Sequence, residues 1–296
     1  MSDRAGLIPL FRELGNLKRI TSAGRNGSIA TRMFLAGWGA LMAGEEPREV
    51  GRRTVGAALA AARLGDLDLA KLFELGLSRD EAEQVLRTAF ETVDGAIDPA
   101  LASELQAVLA EELPVGAPPA FALLLADQPR AGVTCPGKPR LMLEPAENHA
   151  EHCLAVAVYG VLLAPGYGAD RTAVFLAGLG HHFHNAYMPD SGFTGEVLLG
   201  DLLDPVIARG RERALSELPP SLRSRMEAAL ALIADDASPE GRAFHAADVI
   251  DRVLEIEQHL TAAGATMDAV LGDYELVHAG PVKAFQDSTL QEVGLL

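Results

Sequence analysis

The sequence predicts an all-α protein, and three observations support this prediction. Residues that favour helices, chiefly alanine, leucine, arginine and glutamate, dominate long segments of the 296-residue chain. Aromatic residues make up only 5%, and the alternating β-branched runs typical of strands are scarce. Hydrophobic residues reach 49% and charged residues 22%, so the chain can form a packed core and is not globally disordered.

Two helices can be placed in the first two thirds of the chain. The run Ser78-Arg79-Asp80-Glu81 has the form of a capping box and predicts a helix that continues to about Thr92 and closes near Gly95. Residues 150–163 are almost all apolar. A helix that is apolar on every side is buried, so we expect this one at the centre of a bundle.

Two more helices are predicted towards the C-terminus. Ser221 is a candidate cap for a helix through about Ala234. Ser238-Pro239 predicts a second start, with proline in the first turn of a helix that continues towards Gly264. The residues from about 278 onward show no clear pattern, and we expect an irregular tail there.

The chain is predicted to have two helical units and a tail. Residues 125–147 contain four prolines and two glycines and have no helical period, as expected for a connection. Residues 51–66 and 170–186 share an Arg-Thr start and a run of small apolar residues. A tandem of two related halves is one explanation, and shared alanine-rich composition is the other. The predicted units are 1–130, 145–270 and the tail 271–296.

The charge balance limits the classes of partner. Acidic residues outnumber basic ones 41 to 25, for a net charge of −16. Binding to a nucleic acid polymer needs a basic surface, and so does docking on an anionic membrane, so we expect neither. A small anionic substrate is still compatible, because one local group of cations can bind it. A homo-oligomer also remains open.

The cysteines and the N-terminus predict a cytoplasmic location. Cys135 and Cys153 are too few for a disulfide framework and indicate a reducing compartment. The first residues carry charges and lack the apolar stretch of a signal peptide. The longest uncharged stretch, 153–169, is shorter than the roughly 20 apolar residues of a spanning helix.

The histidines are unevenly distributed. None of the eight lies in residues 1–148, and six fall in three short clusters. The clusters are His149 with His152, His181 with His182 and His184, and His245 with the nearby carboxylate Asp248. Three helical segments that each offer one or two such ligands can build a metal site in a bundle. The alternative is a set of hydrogen-bonded core histidines, although neighbouring buried imidazoles without a metal or an acid are costly.

The order of these clusters resembles the HD-domain superfamily of metal-dependent phosphohydrolases, especially its 5′-nucleotidase-like branch. The segment ENHAEHCLAVAVYGVLLA places His152, GLGHHFHNAYMPD places His181, and HAADVIDRVLEI places Asp248. The resemblance covers about residues 145–260. It implies a helical bundle of the HD type with one divalent metal ion bound by His152, His181, His182 and Asp248.

Two positions depart from the family pattern. His182 stands where relatives carry the metal-binding aspartate, so the resemblance implies a site of three imidazoles and one carboxylate. Such a set suits zinc, iron, manganese, cobalt or nickel. Asn185 stands where the nucleotidase-like branch has a glutamate that helps activate water, and an amide cannot accept a proton. Asp190 is left as the candidate catalytic acid–base group.

The resemblance also suggests where a phosphate would bind. Lys138 and Arg140 precede the first motif, where relatives place a phosphate-binding arginine, and Arg252 lies one helical turn beyond Asp248. For each of these cations taken singly, its residue type favours the alternative of a solvated surface charge.

The expected function is hydrolysis of a nucleotide or another small phosphoester by a water activated at one metal ion. Two alternatives stay open. The first is a non-catalytic HD-like regulatory or binding protein, which His182 and Asn185 favour. The second is an iron-dependent oxygenase in the same fold, which the scarcity of further ligands disfavours.

Overall fold

The computed structural model describes residues 4–263 and 266–296, and these residues form fourteen α-helices and no β-strand. The all-α prediction is confirmed. Short 3₁₀ turns and a π-helical segment join some of the helices. The helices are α1 Ile8–Gly15, α2 Ile29–Met42, α3 Pro47–Leu64, α4 Leu69–Glu74, α5 Arg79–Glu91, α6 Pro99–Gln106, α7 Ala120–Asp127, α8 His149–Tyr167, α9 Arg171–Gly180, α10 Gly192–Leu199, α11 Leu203–Leu215, α12 Pro220–Leu230, α13 Pro239–Ala263 and α14 Lys283–Glu292.

The predicted helices start at or within one residue of the expected positions, which are marked by capping residues or prolines. Ser78 and Glu81 form both halves of a capping box at α5, as predicted. Helix α13 starts at Pro239, as expected from the Ser238-Pro239 pair. Helix α12 starts one residue before Ser221, with Pro219 at its cap position, and a 3₁₀ turn replaces its last predicted turn.

Helix α8 lies at the centre of the bundle and packs against α2, α9 and α13. Every side chain from His149 to Ala164 is buried. By length and composition α8 could cross a bilayer, but 83% of its most apolar window is buried inside the protein, as in the core helix of a soluble protein. Helix α9 packs closely on α8 at Gly178, which has no side chain. A Cβ added there would lie only 2.5 Å from Cα of Ala157.

The N-termini of α2 and α8 are joined by a reciprocal pair of caps. Ser28, the cap of α2, donates a hydrogen bond to Glu151 in the first turn of α8. Asn148, the cap of α8, donates to Thr31 in the first turn of α2 at 3.1 Å. One continuous cluster of buried hydrophobic residues draws on both predicted units.

The C-terminal segment differs from the expected irregular tail. It contains helix α14, which packs on α13 and buries Leu290 completely. Gln286 and Thr289 are buried beside it. The helix has no clean apolar stripe because two of its three buried residues are polar, and this explains why the sequence pattern did not reveal it.

Candidate metal centre

Three helix segments bring the predicted ligands to one place. His152 lies in the first turn of α8, His181 caps the C-terminus of α9 with His182 directly after it, and Asp248 lies within α13. Close packing of α8 with α9 and α13 brings these segments together. His152 and His181 are buried, and Asp248 keeps 13% of its side chain exposed.

The distances between these groups suit a single small cation. Nε2 of His152 lies 3.1 Å from Nε2 of His181 and 3.2 Å from Oδ1 of Asp248. Nε2 of His181 lies 3.8 Å from the same carboxylate oxygen. One ring nitrogen of His182 joins those of His152 and His181 within 4.8 Å. The structure therefore brings the three predicted histidines together and places Asp248 beside two of them, His152 and His181.

On the side that faces away from the cluster, each of the three imidazoles donates a hydrogen bond to an oxygen atom. Nδ1 of His152 donates to Oδ2 of Asp251 at 2.7 Å, and Nδ1 of His181 donates to the Gly178 carbonyl at 2.8 Å. Nδ1 of His182 donates to Oδ1 of Asn185 at 2.8 Å. Outer partners of this kind fix the tautomer and leave Nε2 as the ligand atom. Asn185 thus orients His182, a role the sequence did not predict.

The donor set fits a metal ion chemically. Burial and the neighbouring His152 lower the pKa of His181 to about 3, so His181 is neutral and its Nε2 carries a lone pair. The ring proton of His152 is on Nδ1, which donates to Asp251. Nε2 of His152 therefore presents a second lone pair, 3.1 Å from Nε2 of His181. Burial alone would raise the pKa of Asp248, but Arg252 and His152 hold it well below its usual range. Two lone pairs and a carboxylate facing one point repel each other, and a cation there removes the repulsion.

A buried charge network supports the outer side of the cluster. Nζ of Lys18 lies 2.8 Å from Asp251, 2.7 Å from Glu147 and 3.4 Å from Glu255. Burial alone would lower the pKa of Lys18, but these three carboxylates raise it well above its usual value. Glu147, His152 and Asp251 also come close enough to suggest a metal site. The Lys18 ammonium already provides the positive charge beside Glu147 and Asp251. We therefore assign this second group a structural role and not a metal-binding one.

The cluster opens on a cavity of about 420 Å³. Arg130, Arg252 and Asp190 line it, together with His149 and Asn185. The Asp190 carboxylate accepts backbone N–H groups of residues 131 and 192, at 2.9 and 2.8 Å. His149 is buried, neither of its ring nitrogens has a hydrogen-bond partner, and its Nε2 lies 3.6 Å from Asp190.

The predicted phosphate-binding cations divide into two groups. Arg252 lines the cavity and donates to the Leu276 carbonyl and to Asp248. Lys138 and Arg140 do not line it. Arg140 instead donates to the carbonyl of Ala131 at 2.7 Å, and Lys138 is exposed.

Arg130 is a cavity cation that the sequence patterns did not single out. It lies in the proline-rich connection, and its backbone N–H bonds to the carbonyl of Glu147 at 2.9 Å, which brings it beside the start of α8. Its Nη1 is buried without a hydrogen-bond partner. Burial alone would lower the pKa of Arg130, but Glu147, Asp190 and Asp248 raise it, so it stays charged.

Three comparisons were made with known proteins. No protein-family model, no curated protein and no solved structure matches the chain. The resemblance to HD-domain proteins therefore rests on the motif residues.

Proposed function

We propose that this protein is a metal-dependent hydrolase of a small phosphoester. The observation that carries the proposal is the grouping of His181, His182 and Asp248 around His152, beside a cavity that three arginines line. The order of these residues along the chain is that of the HD-domain motifs, and phosphoester hydrolysis is the reaction of that superfamily.

Each ligand residue has a defined part in holding the metal. His152, His181 and His182 offer Nε2, and Asp248 offers Oδ1. A metal ion bound there would polarise a phosphoryl oxygen and lower the pKa of a coordinated water.

Arg130 and Arg252 would bind the substrate phosphoryl group. Nη1 of Arg130 is free to donate, and a guanidinium matches the geometry of phosphate oxygens. Arg252 is already tethered to Asp248 at 3.4 Å, so it can contact substrate and ligand together. Lys138 and Arg140 have no part in this proposal.

His149 and Asp190 would orient the attacking water. Burial and the charge of Arg130 lower the pKa of His149 far below its usual value, so its ring is neutral and can accept a hydrogen bond. Asp190 lies 3.6 Å from Nε2 of His149 and is held by two backbone N–H groups. Asn185 positions His182 in this proposal and handles no proton.

The test begins with elemental analysis of the untagged protein, followed by a screen of phosphoesters with the metal-loaded form. We expect about one transition metal ion per chain and turnover of at least one phosphomonoester. His181→Ala should lose both metal and turnover, since a four-ligand site then has only three protein ligands. His278→Ala is the matched control, because His278 lines the same cavity but lies outside the cluster. Metal retention by His181→Ala would contradict the proposal.

A second candidate is a metal-binding module that binds a phosphorylated ligand without turnover. It is favoured by two observations. The amide of Asn185 cannot accept a proton, and two backbone N–H groups already donate to the carboxylate of Asp190, so neither residue is a free general base. The double variant Asn185→Glu with His182→Asp restores both family residues. Turnover by the double variant, with no turnover by the wild type, would favour the binding module.

A further inference from the structure

The guanidinium groups that line the cavity differ in their acidic partners. Arg130 lies 3.6 Å from Glu147, and Arg252 lies 3.4 Å from Asp248. Arg211, on α11, also lines the cavity, but no carboxylate in the described parts of the chain lies within 4 Å of it. Its Nε is buried and lacks a hydrogen-bond partner. A partly buried guanidinium without a partner has lost hydration that nothing in the protein replaces.

Burial lowers the pKa of Arg211, and no neighbouring carboxylate offsets the effect. In a chain with 41 acidic residues, an arginine that faces a cavity and has no carboxylate partner within 4 Å is unusual. A bound anion would supply the missing partner.

The position of α11 places Arg211 beside the metal cluster but apart from the ligands. A Cβ at Gly210 would lie 2.9 Å from Cα of His184, so this part of α11 packs directly on the turn after α9. The His184 ring centre lies 5.8 Å from that of His182. Nδ1 of His184 is buried and has no partner. Arg211 and His184 thus form a second polar patch next to the metal cluster.

An apolar surface adjoins this patch. Helix α11 turns one face to the cavity, and Leu203, Ile207 and Arg211 follow each other along it at intervals of four residues. The cavity wall next to Arg211 is therefore partly aliphatic, which suits a ligand with a short carbon chain.

We propose that the substrate carries a second anionic group and that Arg211, with His184, binds it. This inference rests on the proposed function, in which the phosphoryl group lies at the metal cluster. The substrate class would be a short-chain phosphoester with a carboxylate or a second phosphate a few bonds away. A nucleoside monophosphate, with its neutral base, would leave Arg211 unpaired.

The test uses two phosphonates that the protein cannot hydrolyse. 3-Phosphonopropionate and propylphosphonate differ only in a carboxylate in place of a methyl group. Titration calorimetry with the metal-loaded wild type should show about 10- to 100-fold tighter binding of the carboxylate compound, the typical value of one charge-assisted pair. Arg211→Gln should abolish this preference and leave propylphosphonate binding unchanged. Arg211→Lys, which keeps the charge, should retain part of it.

Arg209→Gln is the matched control, because Arg209 lies on the exposed side of the same helix and does not line the cavity. It should bind both compounds as the wild type does. The same titration with 1,2-ethylenebisphosphonate, in which a second phosphonate replaces the carboxylate, tells which of the two anions binds more tightly at Arg211.

The outcomes separate this inference from the proposed hydrolysis. Equal wild-type affinity for the two matched compounds would overturn the second anion site. Equal weakening of both by Arg211→Gln would also overturn it, because Arg211 would then bind the phosphoryl group itself. If no phosphoester is hydrolysed but the preference persists and depends on Arg211, the hydrolysis proposal fails and the second anion site stands.

Discussion

Lys18 allows a quantitative test of how the N-terminal part supports the cluster. Its ammonium contacts three carboxylates, and the side chains of Lys18, Glu147, Asp251 and Glu255 are between 1% and 7% exposed. Lys18→Met keeps the aliphatic stem but removes the charge, so three buried carboxylates lose a common partner. Breaking a buried ion pair by removing one partner typically costs about 3–5 kcal/mol, because the remaining charge stays desolvated. We expect a loss of unfolding free energy of about that size at pH 7.

Arg12 supplies the matched control. It also connects the N-terminal region to α13, through Glu257 at 2.8 Å, but the two side chains are 46% and 38% exposed. An exposed pair contributes about 0–1 kcal/mol, so Arg12→Met should cost far less than Lys18→Met. Denaturant unfolding of the three proteins, with metal content measured in parallel, tests the difference. Lys18→Met should also bind metal more weakly, because Asp251 orients His152.

The loss caused by Lys18→Met should depend on pH in a defined direction. Without the ammonium, the pKa values of the three carboxyls rise, so the folded variant takes up protons more readily than its unfolded chain. The deficit should therefore shrink as the pH falls from 8 towards 5 and grow as the pH rises. In the wild type, Lys18 holds the pKa values of Asp251 and Glu255 below their usual range despite burial. The stability from these two groups is fully present above about pH 5, where both are ionised in the unfolded chain, and is lost as the pH falls further. Equal losses in the Lys18 and Arg12 variants, constant with pH, would refute this reasoning.

Four further predictions concern single residues. Asn185→Leu removes the acceptor for Nδ1 of His182 and should weaken metal binding about 10- to 100-fold in a chelator competition; unchanged affinity would mean that Asn185 does not orient the ligand. His182→Asp should keep the metal and shift preference towards manganese and magnesium, measured by competition between metals, whereas loss of all metal would count against His182 as a ligand. Asp190→Asn should lower turnover about 10²–10⁴-fold with unchanged metal content, and full turnover would exclude Asp190 from water activation. Gly178→Ala should cost about 1–3 kcal/mol or more in denaturant unfolding, because its Cβ would lie 2.5 Å from a backbone atom of α8, whereas Gly95→Ala, with nothing within 4 Å, should be close to neutral.

Local patterns predicted much of the helical framework. The capping box at Ser78 and the fully apolar run that became α8 depend on residues within a few turns of each other, so both can be found in a single sequence. The histidine clusters drew attention to His152 and His181 for the same reason, and the structure brings them within 3.1 Å. The sequence pattern did not predict helix α14, because its buried face is partly polar.

The parts of the site that sequence patterns missed depend on long-range contacts. Lys18 bonds Glu147 across 129 residues and Asp251 across 233, and no local pattern marks it. Arg130 lies in a segment whose composition indicates only a connection. Arg211 lies in a charged run that is typical of a solvated helix face, and only the packing of α11 on the turn after α9 turns it towards the cavity.

X-ray absorption spectroscopy of the metal-loaded protein identifies the metal ligands directly, because it reports the atoms around the ion. With zinc, we expect three imidazole nitrogens and oxygen at about 2.0–2.2 Å, no sulfur, and one imidazole fewer in His182→Ala. Cys153 provides a specific contradiction, since its Sγ lies 3.9 Å from Nδ1 of His181. A zinc–sulfur distance of about 2.3 Å, or a spectrum that His182→Ala leaves unchanged, would show that the metal centre is not the one described.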